Sequence, residues 1–132
     1  ALLNKSGFET IDCGCFTTAS VDYPDIAEAV AAQVREKKIP GIVICGTGIG
    51  ISIAANKIPG IRAALCSDTF TAEMARKHND ANVLAMGARV LEMPVMEAIV
   101  NTFLTTSFEG GRHQRRVDKI NAIENTYCER CK

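Results

Sequence analysis

The chain carries no excess of either charge: 15 Lys and Arg stand against 15 Asp and Glu among 132 residues. A net charge of zero gives no global electrostatic case for nucleic acid or an anionic membrane as partner. No apolar run approaches the length that a bilayer-spanning helix needs. The apolar stretch at 1–5 is too short for the core of a secretory signal, so a cytoplasmic location is expected. Histidine is scarce, with two in the chain. Zinc or iron at a main site would need more His and carboxylate ligands than gather in any one stretch, so no metal is expected. No internal repeat or low-complexity segment appears.

Cysteine, by contrast, is abundant, with six residues. In a chain with clear helix and strand patterning and no signal, a disulfide framework is not expected. Cys13-x-Cys15 and Cys128-x-x-Cys131 have zinc-like pairing but lack turn glycines or a histidine close by. Hydrophobic residues at 47% and charged residues at 23% are ordinary for a globular protein, and the length predicts one domain over 1–132 with one core.

The organising stretch is GIVICGTGIGISIAANK at 41–57. Residues 41–44 read as a fully buried strand of a parallel sheet. Gly46, Gly48 and Gly50 allow a sharp turn and close approach to a ligand, and a helix over 52–57 follows until Pro59-Gly60 stops it. A strand that ends in glycines and opens a helix gathers unpaired N–H groups and positive helix-dipole potential, an anion site. Cys45 lies at the mouth of that site, where thiolate is favoured. Burial as a small hydrophobe is the competing reading.

Around this stretch, 1–7 reads as a frayed end with Ser6-Gly7 as a helix stop. Residues 8–13 alternate like a strand that Gly14 ends. Asp22 is read as the cap of a helix over 24–38, with Pro24 in its first turn. Strands over 61–66 and 82–86 follow, with helices over 71–78, 94–108 and 112–127. Four strands alternating with helices predict an α/β fold: a three-layer, Rossmann-like parallel sheet with helices on both faces. Its ligands bind beyond the carboxyl ends of the strands, where Cys45, Ser67-Asp68 and Gly87-Ala-Arg89 fall.

Two further groups carry chemistry. His78 opens HNDAN at 78–82, at a helix C-terminus that favours its charged form, and reads as a cap or a functional acid. Asn79 and Asn82 suit a loop. Arg112 and Arg116 stand four apart on one helix face and can grip a phosphate, whereas Arg115 and Lys119 fall on a neighbouring, solvated face. These residues suggest a small phosphorylated metabolite, a reactive thiol and a histidine, for acyl or proton transfer. A nucleotide-binding α/β domain is the minority alternative, with Asp68 placed as a ribose-binding acid. The glycine spacing lacks the dinucleotide fingerprint's last gap, and the Lys-Ser/Thr of a P-loop is absent.

Four motifs, CGTGIGISIAANK, GIRAALC, HNDANVLAMGAR and FEGGRHQRRV, together closely resemble the type B ribose 5-phosphate isomerases, which are related to galactose 6-phosphate isomerase subunits. The resemblance runs from about Gly7 to Glu124. It implies interconversion of ribose 5-phosphate and ribulose 5-phosphate in the pentose phosphate pathway, without a cofactor. Allose or galactose 6-phosphate isomerisation, and a non-catalytic phosphosugar-binding subunit, are its alternatives.

By this resemblance Cys45 is the base that moves a proton between C2 and C1 through an enediolate. His78 matches the acid that opens the furanose ring. Thr47 and the loop of Gly46, Gly48, Ile49 and Gly50 hold sugar oxygens and the intermediate. Asn79, Arg89, Arg112 and Arg116 match positions that bind sugar and phosphate. The family's homodimers or homotetramers have sites between subunits, so some of these side chains are expected from a neighbour. The family also begins with a strand and a loop bearing an Asp-His pair. This chain matches only from near the end of the following helix, so it is expected to be N-terminally short, with 112–132 as C-terminal helix and tail and a four-stranded sheet left.

Overall fold

In a computed structural model the described residues are 2–14 and 21–130. Cys15 and Cys131, one member of each cysteine pair noted above, lie outside them. The elements run α1 (Leu2–Lys5), α2 (Tyr23–Lys37), β1 (Gly41–Cys45), α3 (Ile49–Asn56), β2 (Ala63–Leu65), α4 (Thr69–Asn79), β3 (Val83–Gly87), α5 (Met93–Thr105) and α6 (Arg112–Arg130). Three strands in the order β1-β3-β2 form a parallel sheet. No helix among the described residues is long and apolar enough to cross a membrane.

The central strand β3 is buried along its whole length, and its side chains alternate between two cores as the pleat requires. Leu84 and Met86 pack with Ala72, Ala75, Ile99 and Phe103 of α4 and α5. Val83 and Ala85 pack with Val43, Ala31, Val34, Ile51 and Ala55, from β1, α2 and α3. An apolar run with no polar alternation is therefore what a strand covered on both faces demands. The three-layer α/β architecture follows from that single segment and the helices on either side.

Several boundaries differ from the sequence expectation. Residues 8–13 form no strand, so the described sheet has three strands and not four. The physical reason is the lack of a neighbour: alternation becomes a strand only when a ladder and a core receive it. Phe8 and Ile11 are 40% and 50% exposed, and the Phe8 N–H donates back to the Leu3 carbonyl in a turn around Gly7, at φ +86. Gly7 thus ends α1 as the Ser6-Gly7 pair suggested. Helix α3 begins at Ile49, three residues early, because Gly48 at φ +81 serves as its N-cap. Helix α5 stops at Thr105 and leaves 106–110 as a connecting segment. Asp22 occupies the N-cap of α2 but makes no side-chain capping bond.

Candidate active site

The glycine-rich loop after β1 is built by three different constraints. Gly48 adopts a left-handed backbone, and a Cβ there would lie 2.5 Å from Leu65 Cδ1 and 2.7 Å from the Met86 carbonyl carbon. Gly50 sits in the first turn of α3, where a Cβ would meet the Tyr23 ring at 2.5 Å. Gly46 has only ordinary contacts, its nearest neighbour being Arg89 Cδ at 3.4 Å. The loop is zipped to the turn after β3: the Ala88 and Arg89 N–H groups donate to the Cys45 and Gly46 carbonyls, both at 2.9 Å. This pairing lays the exposed Arg89 beside Gly46.

Cys45 ends β1 opposite Gly87 and is half-buried. The Gly48 N–H donates to its sulfur, 3.3 Å away. Thr47 accepts from the Ile49 N–H at 3.2 Å. The first-turn amides of α3 have no helical carbonyl ahead of them. A cavity of about 330 Å³ lies beside the loop, lined by Thr47, Ile49, Leu65, Cys66, Gly87 and Val90 among others. Cys66 differs from Cys45: it is 1% exposed, and burial pushes its thiol up, with Asp68 adding to that and Thr71 opposing it. It is a protonated core thiol. Asp68, the ribose-binding candidate of the nucleotide reading, instead caps α4 by accepting from the Thr71 N–H at 2.7 Å.

A second cluster forms at the other end of the sheet. Helix α4 runs antiparallel to the strands, so its last turn, with His78 and Asn79, lies beside the start of β3. The segment after α5 is strapped to that turn. Arg76 Nε donates to the Thr106 carbonyl at 3.1 Å, and the Glu109 N–H donates to the Lys77 carbonyl at 3.2 Å. These bonds bring the start of α6 against α4, and the His78 and His113 rings stack with centroids 4.2 Å apart and planes 14° apart. Glu109 Oε1 is 3.8 Å from Nε2 of each ring. Arg112 and Arg116 lie beside this pair, both exposed on α6. Asp80, at φ 46, closes the turn under a pincer of Arg62 at 3.5 Å and Arg76 at 3.1 Å.

The expected site residues therefore fall into two groups. Cys45, Gly46, Thr47, Gly48, Ile49, Gly50 and Arg89 meet at the carboxyl ends of the strands. His78, Asn79, Arg112 and Arg116 meet at the amino ends, with the length of β3 between them, about 13 Å at the usual strand rise. Glu109 and His113 were not among the expected residues. The Glu109–His113 spacing of four is a weak helical cue, and nothing local pairs His113 with a residue 35 positions earlier.

His78, Glu109 and His113 could hold a metal by proximity, their candidate ligand atoms lying within 4.8 Å of one another. Their directions are wrong for it. Nearly parallel rings aim their nitrogen lone pairs side by side and not at one point, and 3.8 Å separations exceed the about 3.3 Å that a tetrahedral ion with 2.0 Å bonds sets. A larger cavity, of about 670 Å³, opens at the amino ends between Arg62, Arg76, Asp80 and Phe103. Two of its three arginines, Arg62 and Arg76, are committed to Asp80 and to the Asp80 and Thr106 carbonyls.

Comparison with known proteins is consistent along the chain. The family model described as Ribose/Galactose Isomerase matches residues 1–120. Ribose-5-phosphate isomerase B of Escherichia coli is 50% identical over 125 residues, 94% of this chain and 84% of that protein. A ribose-5-phosphate isomerase B structure from Clostridium thermocellum superposes with a TM-score of 0.92 at 54% identity, covering 95% of this chain and 85% of that one. The Mycoplasma genitalium enzyme, solved with bound ribulose-5-phosphate, gives a TM-score of 0.89 at 44% identity, covering 93% and 83%. Half-identical sequences folded this closely over most of both lengths share one ancestry, and the chain belongs to the ribose/galactose isomerase family.

Proposed function

We propose that the chain is an aldose–ketose isomerase that interconverts ribose 5-phosphate and ribulose 5-phosphate, with Cys45 as the base. The observation that carries this reading is the Gly48 N–H directed at the Cys45 sulfur, 3.3 Å away, in the glycine-rich loop that opens α3. A thiolate held there takes the C2 proton of the open-chain aldose. Charge then develops on the two oxygens of an enediolate, next to the Thr47 hydroxyl and the first turn of α3. Passage of the O2 proton to O1 and return of the carbon-bound proton to C1 complete the reaction: C1 is reduced and C2 oxidised within one molecule, so no external electron carrier enters. The ribulose-5-phosphate complex of the Mycoplasma relative supports a phosphosugar as ligand.

His78 protonates the ring oxygen to open the furanose, Asn79 and Arg89 hold sugar hydroxyls and phosphate, and Arg112 and Arg116 clamp the phosphate. Because the two groups lie at opposite ends of one sheet, a complete site joins Cys45 and Arg89 of one subunit to His78, Asn79, Arg112 and Arg116 of a second copy. A homodimer or homotetramer in the cytoplasm fits this arrangement. Exposed apolar side chains around the Cys45 opening, Ile49 at 53%, Phe70 at 66% and Val90 at 62%, are the kind of surface that such a contact buries.

The deciding experiment follows conversion of ribose 5-phosphate to ribulose 5-phosphate by the purified chain, with Cys45→Ala as control. Turnover that vanishes in the control supports the reading. Equal turnover in both removes Cys45 from the mechanism, and tight sugar-phosphate binding with no turnover identifies a binding subunit.

A further inference from the structure

His113 is a buried polar side chain with no role in the mechanism above. It sits at the first turn of α6, its N–H bonded to the Gly110 carbonyl at 3.0 Å, and presents its ring face to His78. We propose that His113 is a positioning residue for His78: its buried ring stacks on the His78 imidazole and, together with Glu109, holds that exposed ring in one plane at the edge of the site. The inference rests on His78 acting as the ring-opening acid.

Three features of the geometry favour it. His78 is the last-turn residue of α4 with a side chain 40% exposed, so its own helix leaves its side-chain torsions free to turn in solvent. The stack at 4.2 Å and 14° removes that freedom from one face and leaves the other open. The wall itself is firm, because the His113 side chain is only 11% exposed and its segment is strapped to α4 through Arg76–Thr106 and Lys77–Glu109.

The same stack weakens the proton affinity of His113. Two stacked imidazolium rings repel each other, so His78 opposes the protonation of His113. His113 is held below the ordinary histidine range, first by burial and then by His78, Arg112 and Arg116, with Glu109 opposing. The charged groups facing the pair are Lys77 and Glu73, ion-paired with each other on α4, Glu109 on the connecting segment, and Arg112 and Arg116 on α6. Glu109 is the carboxylate that, among the described residues, lies within 3.8 Å of Nε2 of both rings.

The chain has two histidines, so its spectrum holds one imidazole Hε1 resonance for each ring and the test is direct. In His113→Ala the remaining His78 signal should move as the ring current of its neighbour is lost. In His113→Phe, which keeps an aromatic wall without nitrogens, the stacked shift should be largely retained. In the full oligomer kcat should fall about tenfold in His113→Ala with KM within about twofold, and His113→Phe should recover most of it, as expected when only orientation is lost. A His78 signal unmoved by His113→Ala overturns the proposal. So does a kcat per folded protein equal to that of the unsubstituted chain, because a purely structural role would lower stability and leave kcat alone. The spectroscopic arm needs no turnover: absence of isomerase activity in the unsubstituted chain would count against His78 as acid, while the resonance shifts still decide whether His113 holds its ring.

Discussion

Gly87 and Thr47 touch backbone to backbone: a Cβ on Gly87 would lie 2.4 Å from the Thr47 carbonyl oxygen and 2.5 Å from its carbonyl carbon. This contact seats the Cys45 loop on the end of β3. Neither partner is the tip of a flexible side chain, so a substitution must move the main chain. Gly87→Ala should lower stability by about 1–3 kcal/mol and cost more than about tenfold in turnover, since small misplacements of reacting groups are amplified in rate. Chemical denaturation and steady-state kinetics measure the two effects. Unchanged kinetics in the variant would show that the loop tolerates the shift.

The two cysteines of the carboxyl-end region should behave in opposite ways. Cys45→Ala should abolish isomerisation and leave affinity for a phosphorylated sugar inhibitor nearly unchanged, because the base goes and the phosphate clamp stays. Cys66→Ala should keep turnover while losing about 1 kcal/mol of core packing. Calorimetric binding beside an activity assay separates them. Activity that follows Cys66 would reassign the base.

Subunit mixing tests the separation of the two clusters. Arg112→Ala and Arg116→Ala should each weaken inhibitor binding by about tenfold or more, as loss of a charge-assisted contact does. Mixing an inactive Cys45→Ala chain with an inactive His78→Ala chain, with subunit exchange, should restore activity. In a two-fold dimer half the molecules are mixed and one of their two sites is intact, so about a quarter of full activity should return. Mixtures that stay inactive after exchange would place both clusters in one subunit's site.

The depressed His113 also sets a pH trend. A histidine that resists protonation in the fold contributes stability that is fully present above the unfolded value of about 6.5, where it is neutral in both states. That contribution is lost as pH falls below it, because the unfolded chain then binds the proton more readily. The thermal midpoint should decline on acidification from pH 7 toward pH 5, and less steeply in His113→Phe. Parallel slopes in the two proteins would show that other groups govern the decline.

Much of this molecule is legible locally. The run from Gly41 to Cys45, the glycines after it and the apolar residues at 83–86 specify a buried parallel strand, a turn and a second buried strand, because periodicity and backbone freedom are properties of neighbouring residues. The grouping of Cys45, Thr47 and Arg89 also follows, since the carboxyl ends of parallel strands share one side of the sheet. His78 at a helix end and the Arg112–Arg116 pair on one helix face are equally local.

Other features were decided only in three dimensions. Residues 8–13 alternate like a strand but lack a described neighbour, and a ladder cannot be read from one strand's pattern. Gly50 looks like a flexible turn residue, yet its place is set by the Tyr23 ring from another helix. The His78–His113 stack depends on the bond from the Arg76 guanidinium to the Thr106 carbonyl and from the Glu109 N–H to the Lys77 carbonyl, between residues some thirty apart. The direction of α4, opposite to the strands, sends His78 to the far end of the sheet from Cys45. Sequence determined which groups could do chemistry, because side-chain type and local spacing are written in it. Which of them meet within one chain was decided by long-range packing, which depends on the distances between elements.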